Sequence, residues 1–210
     1  RINKGVKAIR KLKWYICTAL LGAAIWSVYT NGIPKYVEKL TFSNIQRGKE
    51  TEFSNNDEKV ILANVPLIQQ LPELDRGCEV TSLAMMLQYA GVSVDKMTLA
   101  NEIKKVDFID DGVRGNPNEG FVGNIYTFSE SGYGVYHGPL FQLAEKYLPN
   151  KAVDLTGKNI EEIYKSIKAG QPVVMITNAT FAPLDEAEFT TWETNSGDVS
   201  ITYNEHCVVL

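Results

Sequence analysis

Apolar residues Val80, Leu83, Ala84, Leu87 and Ala90 recur at spacings of three and four, the period of one helix face, and predict an amphipathic helix from Cys78 to a stop at Gly91. The same reading predicts a short helix over 98–106 and another over 139–148. A third spans 159–169, with Asn159 as its N-cap, Glu162 three positions on in capping-box spacing, and Gly170 as its stop. Apolar runs change character further along. Val173 to Thr177, following Pro172, has the composition of a buried strand, Val199 to Tyr203 alternates, and His206 to Leu210 is a further strand. A short strand is also expected at the domain's start, where Val60-Ile61-Leu62 is followed by Val65-Pro66-Leu67-Ile68. Between helices and strands, residues 107–138 are rich in Gly, Asn, Pro and Ser but carry Phe121, Tyr126, Phe128, Tyr133 and Tyr136. That mixture predicts an ordered loop that packs or binds. Helices first and sheet second make an α+β domain.

The N-terminal pattern is different. Arg1, Lys4, Lys7, Arg10, Lys11 and Lys13 precede Trp14 to Thr30, a stretch of 17 residues with no charge. Two readings fit: a cleaved secretory signal, and an uncleaved signal anchor forming one transmembrane helix. The lack of an Ala-x-Ala site, with bulky Val28 and Tyr29 at the end and Trp14, Trp26 and Tyr29 placed for the interfaces, favours the anchor. The basic run keeps the N-terminus cytoplasmic and sends the rest of the chain across the membrane, so the expected location is a single-pass cell-membrane protein with an extracytoplasmic domain. The organisation is then residues 1–30 as basic N-terminus and anchor, 31–59 as a polar stalk, and 60–210 as the globular domain.

Charge and cysteine content narrow the chemistry. Six of the 21 basic residues lie in the first 13 positions, so the rest of the chain holds 15 against 25 acidic residues. An exported domain that acidic is a poor nucleic-acid binder. Outside the apolar segment only Cys78 and Cys207 remain. Their pairing would occupy a candidate nucleophile, and they are read as unpaired. No metal-type Cys/His spacing occurs, so no cofactor is expected.

Cys78 at a helix start lies at the positive end of the helix dipole, beside N–H groups that lack intrahelical partners; both favour a thiolate and can hold an oxyanion. His206 opens a strand far downstream and is the candidate base. Alternation there puts His206, Val208 and Leu210 on one side and Cys207 and Val209 on the other, so Cys207 is expected to pack as a small apolar residue. His137, the other histidine, lies in a turn before a helix and reads as a surface or capping residue. Glu79 reads as a first-turn acid favoured by the helix dipole, or alternatively as a like charge that raises the thiol pKa. Asp75 and Arg76 read as turn residues, and Met85, Met86 and Met97 as core filling.

Several blocks together resemble the bacterial peptidase C39-like domain proteins, distant relatives of bacteriocin-processing cysteine peptidases within the papain-like fold. They are the run from Val65 to Leu74, the block from Gly77 to Met85, the turns Gly115-Asn116-Pro117 and Gly120 to Gly123, the segment Gly132 to Pro139, and Glu205-His206. The resemblance implies a papain-like fold with the catalytic cysteine at a helix start and an antiparallel sheet carrying the histidine. It implies Cys78 as nucleophile, His206 as general base and Gln70 as side-chain donor to the oxyanion, acting on a peptide or protein substrate. Related domains follow the histidine with a strand and an orienting Asp or Asn. Because this sequence stops four residues after His206 and begins with Arg, it is expected to be a fragment at both ends. The expected function is a membrane-anchored cysteine peptidase. The alternatives are a catalytically silent binding module at the cell surface and an amidase or acyltransferase acting on peptidoglycan peptides.

Overall fold

The computed structural model describes residues 59–210. The expected anchor over 1–30 and nearly all of the expected stalk lie outside the described residues. Among the described residues no helix is long and apolar enough to cross a membrane.

Helix α1 (Cys78–Tyr89) organises the domain. Its Val80, Leu83, Ala84 and Leu87 are buried, against Leu74, Leu99, Ile103, Phe121 and Leu143. Burying one leucine of this kind stabilises by about 1.5–3 kcal/mol. The helix ends as its spacing predicts: Ala90 N–H donates to Met86, Val92 N–H to Leu87, and Gly91 takes φ +85°, the left-handed conformation that glycine adopts without steric cost.

Helix α2 spans Lys96–Glu102, starting two residues before and ending four residues before the 98–106 that the periodicity suggests. Asp95 accounts for the shift, since its Oδ1 accepts from Thr98 N–H at 2.7 Å and caps the first turn. The helix ends before Lys105–Val106, which forms β1 and pairs in parallel with β4 (Phe121–Val122). Between them β2 (Ile109–Asp110) and β3 (Val113–Arg114) form a small hairpin. The 107–138 stretch is thus an ordered loop containing short strands, and the order is not strictly helices then sheet. The expected strand at 60–68 does not form; that segment is irregular, with Ile61 and Leu67 exposed and Ile68 packed on the core.

Helix α3 spans His137–Tyr147 and α4 spans Ile160–Lys168. Asn159 is the N-cap of α4, but its side chain makes no capping bond, and Glu162 pairs with Lys165 instead of reaching back. The expected capping box is therefore absent. The last strands are β5 (Val174–Asn178), β6 (Thr190–Trp192), β7 (Val199–Ile201) and β8 (Glu205–Val209), with a 3-10 turn at Glu186–Glu188 between β5 and β6. β5 pairs antiparallel with β8, Thr177 opposite His206 and Ile176 opposite Cys207. β6 pairs antiparallel with β7. β5 is half-buried throughout rather than buried: it pairs with β8 alone, and Val174 packs on the core.

A second apolar cluster joins Val122, Tyr133, Trp192, Val199 and Ile201. Its rings meet edge to face, with Tyr133 and Trp192 centroids 5.2 Å apart, an arrangement aromatic pairs favour.

Candidate active site

Cys78 is the first residue of α1, and its N-cap is Gly77, which offers no side chain to cap the helix. The first helical bond is Thr81 N–H to Gly77 O, so the amide N–H of Cys78 has no intrahelical acceptor. Gly77 is required by packing: a Cβ there would lie 2.6 Å from the Cβ of Leu74. The chain can therefore fold tightly from the 70–76 loop into the helix and set the sulfur at its start.

That loop is held from two sides. Gln70 Nε2 donates to the carbonyls of Leu74 at 2.9 Å and Asp75 at 3.1 Å. Lys96 on α2 reaches the carbonyl of Gln70 at 2.7 Å and the carboxylate of Glu73 at 2.6 Å. Asp75 accepts from Phe128 N–H, and Arg76 donates to the carbonyls of Asn124 and Thr127. These two turn residues thus fasten the loop to the aromatic segment after it. The Gln70 amide is spent on its own loop, which it shapes.

The immediate neighbour of the thiol is acidic. Cys78 Sγ donates to Glu79 Oε2 at 3.3 Å, and the other oxygen of Glu79 accepts from Val135 N–H at 2.8 Å. Glu79 is 1 % exposed, which for a carboxyl group is rare without a charged partner. Glu205, at the start of β8, completes a group in which one ligand atom from each of Cys78, Glu79 and Glu205 lies within 4.8 Å of the others. Gly134 forms the third wall: a Cβ there would stand 2.7 Å from Glu79 Oε1 and 3.2 Å from Glu205 Oε2.

Burial raises the pKa of Glu79, against the opposing effect of its hydrogen bonds. Burial and then the charge of Glu79 raise that of Glu205. Neither forms an ion pair among the described residues. Two carboxylates at this separation repel by about 3 kcal/mol at an effective dielectric constant near 20, which added to the larger effect of burial holds one of them neutral at pH 7. Burial first, then Glu79 and Glu205, push the Cys78 thiol well above its ordinary value. The alternative reading of Glu79 as a like charge is the one the geometry supports.

His206 follows Glu205 on β8. Alternation along the strand turns Glu205 and Cys207 toward α1, where Ser82 Oγ donates to the Cys207 carbonyl at 3.2 Å. Cys207 is buried, and neither it nor Cys78 is in a disulfide. The imidazole of His206 lies edge-on to Phe181, ring centroids 6.1 Å apart, and makes no hydrogen bond among the described residues. Cys78 and His206 thus sit on packed elements, α1 and β8, but alternation turns the imidazole to the face of β8 away from α1, and the thiol's hydrogen-bond partner is a carboxylate. His137 opens α3 and meets Asp154 Oδ2 at 2.8 Å on the surface, in keeping with a surface role and not a capping one, since Tyr136 is the N-cap and no side chain caps the helix. Sequence reading includes Glu205 and Gly134 in the resembling blocks but gives neither a role at the site. The available signal is an acid immediately beside each of the two candidate catalytic residues, in segments otherwise patterned for burial.

These elements, a cysteine starting the central helix and a histidine on an antiparallel strand packed against it, define a cysteine-peptidase-like domain. The chain belongs to the peptidase C39-like family, whose profile matches residues 62–210. It is 43 % identical over 184 residues to the uncharacterized protein YvpB of Bacillus subtilis, covering 87 % of this chain and 71 % of that one. It also matches a crystal structure described as a putative C39-like peptidase from Bacillus anthracis. The TM-score is 0.73 at 91 % identity, over 73 % of this chain and 77 % of that one.

Proposed function

We propose that the protein is a cysteine peptidase in which Cys78 attacks the carbonyl carbon of a peptide bond. The observation that carries this is the position of Cys78 at an uncapped helix start, with its own N–H free to donate to the oxygen that becomes negative. In the proposed reaction the sulfur lone pair forms the C–S bond and the carbonyl electron pair moves onto oxygen. The thiol proton passes to His206, a transfer that requires the imidazole to leave its place beside Phe181 and reach the sulfur, and His206 returns it to the leaving amine. Water then hydrolyses the thioester. Gln70 is the proposed second oxyanion donor, a role for which its amide must release one of the two loop carbonyls it now holds. The substrate is a peptide or protein. The basic run and uncharged segment at the N-terminus support an anchored, extracytoplasmic enzyme.

Replacing Cys78 with Ala removes hydrolysis of an unstructured protein substrate and iodoacetamide labelling at that position. Hydrolysis that persists in the variant rules the mechanism out. One observation favours a second reading, a binding module with the same fold and no turnover: the thiol is hydrogen-bonded to Glu79 and not to an imidazole. Turnover in the parent that disappears in the His206→Ala variant supports the enzyme, and a parent that binds peptide without cleaving it supports the module.

A further inference from the structure

Glu79 and Glu205 differ in their surroundings. Glu79 has a backbone N–H on one oxygen and the Cys78 thiol on the other, both of which stabilise its ionised form. Among the described residues Glu205 has no such donor, and its Oε1 is fully buried without any partner. Like charges this close in a water-poor site cannot both persist, so the proton resides on the carboxyl whose charge nothing solvates. Gly134 holds the two at this spacing, because any side chain there would drive them apart.

We propose that Glu79 and Glu205 are a proton-sharing carboxyl pair that sets the ionisation of Cys78: Glu205 carries the proton, and Glu79, as the anion, holds the nucleophile as a neutral thiol. They are positioning residues for the reaction proposed above, and the inference rests on that reading only for its catalytic consequence. Other titratable groups facing the pair are Cys207 behind it on β8 and the hydroxyls of Tyr133 and Tyr136, which lie near enough to feel Glu205. His206 is the next residue on β8. Tyr133 and Tyr136 bond each other and the carbonyls of Thr202 and Ser200, so their protons are already committed.

The test is the pH profile of Cys78 alkylation by iodoacetamide in the full chain, read by peptide mass mapping so that Cys78 is separated from the other cysteines. It uses the parent and the variants Glu79→Gln and Glu205→Gln, each checked for a cooperative melt. Removing the charge of Glu79 is expected to lower the alkylation midpoint by at least one pH unit. That is about a tenfold faster reaction at pH 7. Glu205→Gln, which fixes that site as neutral, is expected to leave the profile near neutrality unchanged but to abolish the further slowing that the parent shows as Glu205 ionises at higher pH. If Glu79→Gln fails to fold, the alkaline limb of Glu205→Gln decides alone. A slower or unchanged reaction in folded Glu79→Gln, or a parent-like alkaline limb in Glu205→Gln, overturns the pair. Peptide hydrolysis is measured in parallel: a chain that cleaves nothing yet shows these shifts keeps the pair and discards the peptidase.

Discussion

At position 134 the absence of a side chain is a requirement of the acidic site. Its Cα faces Glu79 and Glu205 at a distance that a methyl group would fill, so Gly134→Ala has to displace a buried carboxyl or the loop carrying the Val135 N–H. Overpacking of this kind costs about 1–3 kcal/mol. Urea denaturation should therefore show a midpoint clearly below that of the parent; an equal midpoint would mean that the loop relaxes freely. The position of Cys78 at a helix start was legible, because the apolar repeat that follows it fixes where the helix begins. The acidic setting was only half legible. Glu79 was open to opposite readings, and what decided between them was its burial beside Glu205, a contact between residues 126 positions apart in sequence.

At the scale of elements, the two helix starts α2 and α4 make a controlled pair. Asp95 makes its capping bond and Asn159 does not. Asp95→Ala should cost about 1 kcal/mol, whereas Asn159→Ala should cost less than half of that. Thermal melts of the two variants check the order, and equal losses would contradict the assignment of the caps. The helix at Cys78 was legible to its boundaries since one face of it supplies the core. α2 was displaced in the sequence reading because its cap lies outside the apolar repeat. The expected strand at 60–68 failed for a related reason: apolar composition marks a strand only where a neighbour completes its hydrogen bonds, and Leu67 is left 84 % exposed. β5 and β8 were legible as strands, but their register was not, since a ladder depends on which distant segment it meets.

For the whole molecule, the raised carboxyls imply a direction for stability against pH. Glu79 and Glu205 have folded pKa values above their ordinary 4.5, so above that pH the folded chain binds more protons than the unfolded chain. Their contribution is fully present at or below about pH 4.5 and is lost as pH rises through neutrality toward the folded values. Glu73, Asp95, Glu102 and Asp154 are shifted the other way, and their effect falls at lower pH, where they become protonated. The melting temperature should accordingly be lower at pH 8.5 than at pH 6, and Glu79→Gln should flatten the difference. A higher value at pH 8.5 would contradict the burial assigned to these groups. The α+β class and the family were readable over the domain because many short blocks occur in order, each dictated by a local turn or cap. The hydroxyl of Ser82, one turn below Cys78, is bonded to the carbonyl of the residue just after His206. Helix and strand are thereby riveted at their middle. The start of α1 and the strand that carries His206 therefore shift together rather than past one another.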